Sequence, residues 1–144
     1  MRHDRPTSAS VSVTGIVFRD DGRVLAIQRD DDQRLVPPGG VLELDESPPD
    51  GVAREVFDET GLRVQAERLT GVYKNMKLGV VRSRSAALCS EDKRTRPTKP
   101  AKSWLTVDEA ERNMPEARAV RITDALTTNG AGPPVRIHDG THLL

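Results

Sequence analysis

The sequence predicts an α/β fold built as a single domain of 144 residues. Three observations carry this reading. Runs rich in β-branched residues open the chain, a capped amphipathic helix follows a Pro-Gly break, and a short apolar pair near the end runs straight into a helix-capping signal.

Residues 11–19, VSVTGIVFR, read as the first strand. Asp20-Asp21-Gly22 is a hairpin-turn signal, and Val24-Leu25-Ala26-Ile27 continues as the second strand. Asp30 to Arg34 is a polar loop. Pro37-Pro38-Gly39-Gly40 then breaks regular structure, because the prolines lack amide donors and the glycines are free to take positive φ. From Pro49 to Thr60 the pattern is helical. Ser47 is the expected N-cap, Pro48 and Pro49 are tolerated in the first turn, and Asp50 suits the helix dipole. Val52, Val56 and Phe57 supply an inward face, and Gly61 stops the helix. Leu62 to Val72 reads as one or two extended segments with a break near Arg68. Trp104-Leu105 is a short strand leading to Thr106, an N-cap with Glu109 three residues on, the spacing of a capping box. Residues 107–112 and 116–127 follow as helices, the second with Ala117, Val120, Ile122 and Leu126 as its apolar positions. Asn129-Gly130 ends it, and residues 131–144 read as an irregular tail.

Composition excludes several classes of protein. Hydrophobic residues make up 35% and charged residues 31%, a balance that supports a packed core and excludes a disordered chain. No apolar run approaches the roughly 18–20 residues of a membrane span. The N-terminal MRHDRPTSAS has no apolar segment of the secretory kind, so a cytoplasmic location is expected. The single cysteine, Cys89, fits a reducing compartment, and the three histidines form no zinc-type cluster.

The chemistry concentrates in residues 39–62, GGVLELDESPPDGVAREVFDETGL. Glu55 and Glu59 stand at i and i+4 on the helix, with Asp58 beside them, so three carboxylates share one face. Such crowding costs stability unless a cation sits among the acids, and a hard divalent ion takes this kind of oxygen donor. Glu46 can join the cluster, and Gly40 lets the backbone pass close enough to lend a carbonyl oxygen. The plainer reading of three helical acids is a solvated surface with Arg54 as an ordinary partner.

The wider spacing decides between them. Gly40, five residues, Glu46, seven residues, Arg54-Glu55-Val56, one residue, Asp58-Glu59, one residue and Gly61-Leu62 closely resemble the Nudix box, G-x5-E-x7-R-E-U-x-E-E-x-G-U with U aliphatic. Each fixed position matches except Asp58, which stands for the first glutamate of the pair. The resemblance covers most of the chain, residues 82–103 excepted, and implies an α/β/α sandwich around a mixed β-sheet. It also implies hydrolysis of a nucleoside diphosphate linked to another moiety: a nucleoside triphosphate, ADP-ribose or a related conjugate.

Carried over by position, the resemblance makes Glu55, Asp58, Glu59, Gly40 and Glu46 the metal set, for magnesium or alternatively manganese. It makes Glu59, Glu55 and Arg54 the catalytic group. Glu59 is the residue whose loss should hurt most, and either it or an acid outside the box serves as general base. Arg54 would orient Glu55 or Glu59 through a charge-assisted hydrogen bond. The shorter Asp58 side chain should weaken metal affinity rather than abolish function. Arg29 and Arg34 read either as plain surface residues or as contacts to substrate phosphate; Tyr73 and Asn75 are candidates to face the base or the linked moiety, with Tyr73 equally readable as a packed strand residue. A homodimer is compatible with the family, whereas nucleic acid and membrane are not expected partners.

Residues 82–103, RSRSAALCSEDKRTRPTKPAKS, are anomalous. They hold seven Lys/Arg against two acids in a chain of zero net charge, and they lack apolar alternation where the fold needs a core strand and a hairpin. Reread one frame over with GC-rich codons, Val81 to Ala87 gives ALAFRC and Arg94 to Ser103 gives DPTDEAREV, running directly into Trp104. Beside a basic loop that grips phosphates or nucleic acid and a plain solvated loop, the preferred reading is a compensated pair of frameshifts; taken as written, the stretch is expected to be disordered and the sheet short of a strand. Two rivals to the enzyme follow: a Nudix-shaped nucleotide sensor with weak catalysis, and an inactive product of a damaged gene. Trp104 is read as core, and the histidines of the tail as structural.

Overall fold

The computed structural model describes residues 10–30, 32–77, 80–82, 86–91, 102–127 and 132–144. The first strand, β1 (Ser12–Val17), forms where the β-branched run predicts it and is buried along its whole length. The turn after it closes through Gly22 at φ 83°, whose amide donates to the Arg19 carbonyl at 2.9 Å. Phe18 and Val24 then bridge as in a hairpin, but β2 (Val24–Gln28) diverges from β1 and joins a different set of strands.

β2 lies between β3 (Leu35–Val36) and β9 (Lys102–Leu105), antiparallel to both. β1 pairs antiparallel with β4 (Gly39–Val41) and parallel with β8 (Ala86–Glu91), and β5 (Val64–Leu69) closes that sheet on the far side of β8. β6 (Val72–Asn75) lies between β7 (Val80–Arg82) and β10 (Val135–His138), antiparallel to the first and parallel to the second.

Three helices cover these three sheets, whose strands run in mixed orientation. α1 (Pro48–Thr60) packs against Val13, Val17, Leu25 and Leu62 through Val52 and Val56. α2 (Val107–Asn113) and α3 (Glu116–Leu126) cover the opposite face, where Ile16, Val24, Ala26 and Leu105 meet Ala110, Ala119 and Ile122. Consecutive residues of β1 and β2 thus belong to different cores, as strand alternation requires. The result is an α/β/α sandwich. Each large side chain buried in it contributes roughly 1.5–3 kcal/mol.

The helix boundaries follow local signals. Ser47 Oγ accepts from the Asp50 amide at 3.3 Å, and Gly61, at φ 75°, donates its amide to the Phe57 carbonyl. Thr106 and Glu109 form the reciprocal capping box.

Three expectations need correction. The tail 131–144 is not wholly irregular, since Val135–His138 form β10 on the edge of β6. The stretch 82–103 does not leave the sheet short of a strand: the backbone of Ala86–Glu91 is hydrogen-bonded on both edges, to β1 and β5. Residues 83–85 and 92–101, where disorder was expected, lie outside the described residues, as does Asn129-Gly130. The break near Arg68 takes the form of a register shift between Ala66 and Leu69, and β5 runs on to Leu69. On α3, Leu126 is 51% exposed, and the polar Arg121 and Asp124 are buried instead.

Candidate active site

The acidic face of α1 meets the loop that enters the helix. Gly40 lies on the α1 side of the sheet, opposite Val13 in register. A β-carbon on Gly40 would stand 2.6–2.8 Å from the carboxylate atoms of Glu55. Only glycine lets that carboxylate lie against the backbone. One turn on, Glu59 Oε1 accepts the amide of Gly39 at 3.1 Å. Two of the three helical acids are thereby fixed to the Pro-Pro-Gly-Gly segment.

Arg54 sits at the centre of the remaining charges. Its Nε donates to Glu46 Oε2 at 2.9 Å and its Nη2 to Glu46 Oε1 at 2.5 Å, a two-point fork. Its Nη1 donates to Glu55 Oε1 at 2.9 Å and lies 3.8 Å from Asp58 Oδ2. Nη2 also reaches the Val41 carbonyl at 3.3 Å, and Nε lies 3.6 Å from Glu43. The guanidinium suits this task because its donors are planar and fixed in direction.

The electrostatics follow the geometry. The hydrogen bonds from Arg54 and then from the Glu43 amide hold the Glu46 carboxyl down at about 2. Arg54 is pushed above its ordinary value by Glu46, an effect that outweighs its partial desolvation. Crowding on the helix face is relieved among the described residues by the Arg54 guanidinium, which was expected to orient Glu55 or Glu59, and by the Gly39 amide.

Among the described residues no three His, Cys, Asp or Glu side chains form a ready-made cation cage. The donor set still fits a hard ion, being made only of oxygens from Glu55, Asp58, Glu59 and the backbone at Gly40. An ion of the magnesium type keeps several waters and substrate phosphates, so one or two protein carboxylates suffice.

The other expected residues scatter. Arg29 and Arg34 lie in the β2–β3 turn, where their Nε atoms approach Asp32 at 3.8 and 3.7 Å. Tyr73, read in the sequence as facing the substrate or packed in its strand, is fully buried on β6. Its hydroxyl donates to Asp124 Oδ2 at 2.7 Å and its ring faces the Arg121 guanidinium 5.0 Å away. Arg136 from β10 forks onto the same Asp124 through two 2.7 Å hydrogen bonds. Burial, then the Asp124 carboxylate, push the Tyr73 phenol well above its ordinary range. Trp104 packs against the α1-side core, with Arg19 5.0 Å from its ring centre. The role of the Gly39 amide was missed, although the invitation was visible in a glycine pair placed twenty residues before Glu59.

Comparison with known proteins identifies the family and the fold. Residues 9–126 match the family model described as NUDIX domain. The chain is 53% identical over 145 residues to a MutT-like protein of Streptomyces ambofaciens, covering 96% of this chain and 90% of that protein. Among solved structures, an ADP-ribose pyrophosphatase from Streptococcus suis superposes with a TM-score of 0.69 at 20% identity, over 91% of this chain and 100% of that one. A NUDIX hydrolase from Nitrosomonas europaea gives 0.71 at 23% identity, over 92% and 99%. At these identities the two likenesses are of fold. Among the described residues no helix is long and apolar enough to cross a membrane.

Proposed function

The chain belongs to the NUDIX family as a pyrophosphohydrolase, and from that premise we propose that it cleaves a nucleoside diphosphate linked to another moiety with a divalent ion, magnesium before manganese. One observation carries the reading: Glu55 held against Gly40 and Glu59 anchored on the Gly39 amide, on one side of one helix.

Glu55, Asp58, Glu59 and the Gly40 carbonyl would hold the ion, with Glu46 behind them as the clamp on Arg54. When bound, a divalent ion offsets the charge of the pyrophosphate and activates water as nucleophile. The chain does the rest. Arg54 fixes the Glu55 carboxylate, so little reorganisation accompanies substrate binding. Glu59 holds or receives a proton at its carboxylate, or leaves that task to an acid outside the box. Arg29 and Arg34, at the mouth of the β2–β3 turn, meet substrate phosphate. Tyr73 supports the fold behind them.

Nucleoside triphosphates and ADP-ribose are the first substrates to try, the latter because a structural neighbour is named for it. The absence of a disulfide pair is in keeping with a cytoplasmic enzyme, and a homodimer is compatible with the fold. The test is phosphate or nucleotide release from nucleoside triphosphates, ADP-ribose, NADH and dinucleoside polyphosphates, with magnesium, with chelator and after magnesium is restored. Turnover that vanishes with chelator supports the enzyme and identifies its substrate class. A chain that melts cooperatively and turns over none of them is instead the sensor, and one that does not melt cooperatively is the damaged product.

A further inference from the structure

The α1 side of β2 and β9 carries a cation that the motif does not include. Ile27 of β2 is paired on one side with Val36 and on the other with Lys102. Leu25 and its partner Trp104, two residues away on the same strands, belong to the core beneath α1, whereas Val24, Ala26 and Leu105 belong to the core beneath α2 and α3. Alternation along each strand therefore puts Val36, Ile27 and Lys102 on the α1 side, the side of Gly40 and Glu55. The strip adjoins the catalytic segment, since Val36 precedes Gly39 by three residues.

Lys102 is only partly exposed there, as are Ile27 and Val36 beside it. Lysine is seldom covered unless paired, and its aliphatic stem packs on apolar neighbours while the ammonium seeks an anion. Among the described residues no carboxylate lies within salt-bridge distance of it. The cations at the same end of β2 differ in this respect, since Arg29 and Arg34 both lean on Asp32.

We propose that Lys102 is a positioning residue that binds a phosphate oxygen of the substrate. The inference rests on the pyrophosphohydrolase reading and adds a residue to it. The rival occupant of the same position is an acid: the alternative reading frame places a glutamate two residues before Trp104, where it would join the carboxylates of α1.

Steady-state kinetics and equilibrium binding of ATP and ADP-ribose, with magnesium, separate these. In Lys102→Gln the KM and Kd for ATP rise about tenfold, the worth of one charge-assisted hydrogen bond, while kcat changes little. The values for ADP-ribose rise in the same direction, Lys102→Arg recovers part of the loss, and Lys102→Glu is worse than Lys102→Gln. Unchanged ATP binding in Lys102→Gln overturns the proposal, as does a Lys102→Glu variant with tighter magnesium binding and faster turnover. If the unaltered protein turns over neither nucleotide, the enzymatic reading fails while the binding measurement still judges Lys102.

Discussion

The carboxylate of Glu55 occupies the space in which a β-carbon on Gly40 would stand, with its atoms 2.6–2.8 Å from that position. A glycine and a glutamate fifteen residues apart are thus matched in shape as well as in chemistry.

Replacing Gly40 by alanine should therefore push Glu55 out of line without disturbing the caps of α1. The expected result is a loss of kcat/KM of about a hundredfold, the scale of a misplacement near one ångström in a reacting site. Thermal unfolding should shift far less. Activity equal to that of the unaltered chain would show that Glu55 need not lie against Gly40.

Arg54 holds Glu46 by two hydrogen bonds and Glu55 by a third. Arg54→Lys keeps the charge but cannot keep the fork. Turnover should fall at least tenfold, about 1.4 kcal/mol in the barrier, and magnesium should bind more weakly because Glu55 loses its orientation. Full activity in Arg54→Lys would reduce Arg54 to a source of charge.

Asp58 has a side chain 58% exposed and lies 3.8 Å from Arg54. Lengthening it by one methylene should bring its carboxylate deeper into the acidic face. Isothermal titration of Asp58→Glu with magnesium should show tighter binding than the unaltered chain; equal affinity would contradict the shortened-ligand account.

How much of this was legible in the sequence depends on distance along the chain. α1 was readable because Ser47, the paired prolines and Gly61 act within a few residues of the backbone they cap. The acidic cluster was readable for the same reason, since Glu55 and Glu59 are one turn apart. β10 was not, because VRIH is too short to announce itself and is stabilised by β6, some sixty residues earlier. β8 hid in AALCSE, where the backbone pairing of two neighbours, rather than apolar alternation, makes the strand. The burial of Asp124 was not legible in its own helix, because its partners Tyr73 and Arg136 come from two strands distant in the chain. The sandwich itself was expected through family resemblance, and the paired cores on either side of β1 supply its physical basis.

Tyr73 is the only tyrosine, so its ionisation can be read without ambiguity from phenolate absorbance. Its folded value is raised above the ordinary 10.0 by burial and by Asp124. The stabilisation is therefore complete below the unfolded value and is lost as the pH rises above it, because the unfolded chain releases the proton first. Phenolate should appear only as the protein unfolds in alkali. A reversible titration near the ordinary value in the folded state would place Tyr73 in solvent.

Arg136→Ala should leave the buried Asp124 with two hydrogen bonds fewer and loosen β10 from β6. A loss of about 2 kcal/mol is expected from denaturant unfolding, less than for a fully buried pair because Arg136 is 38% exposed and water can take its place. A change under half that size would assign the fork to the surface.

The most direct test of the account is a magnesium titration of the hydrolysis rate for the unaltered chain and for Glu59→Gln, on the best substrate found. The account predicts a rate that rises with magnesium and saturates in the first, and a rate at least about a thousandfold lower at every magnesium concentration in the second. Hydrolysis that persists without a divalent ion, or that survives in Glu59→Gln, would contradict it.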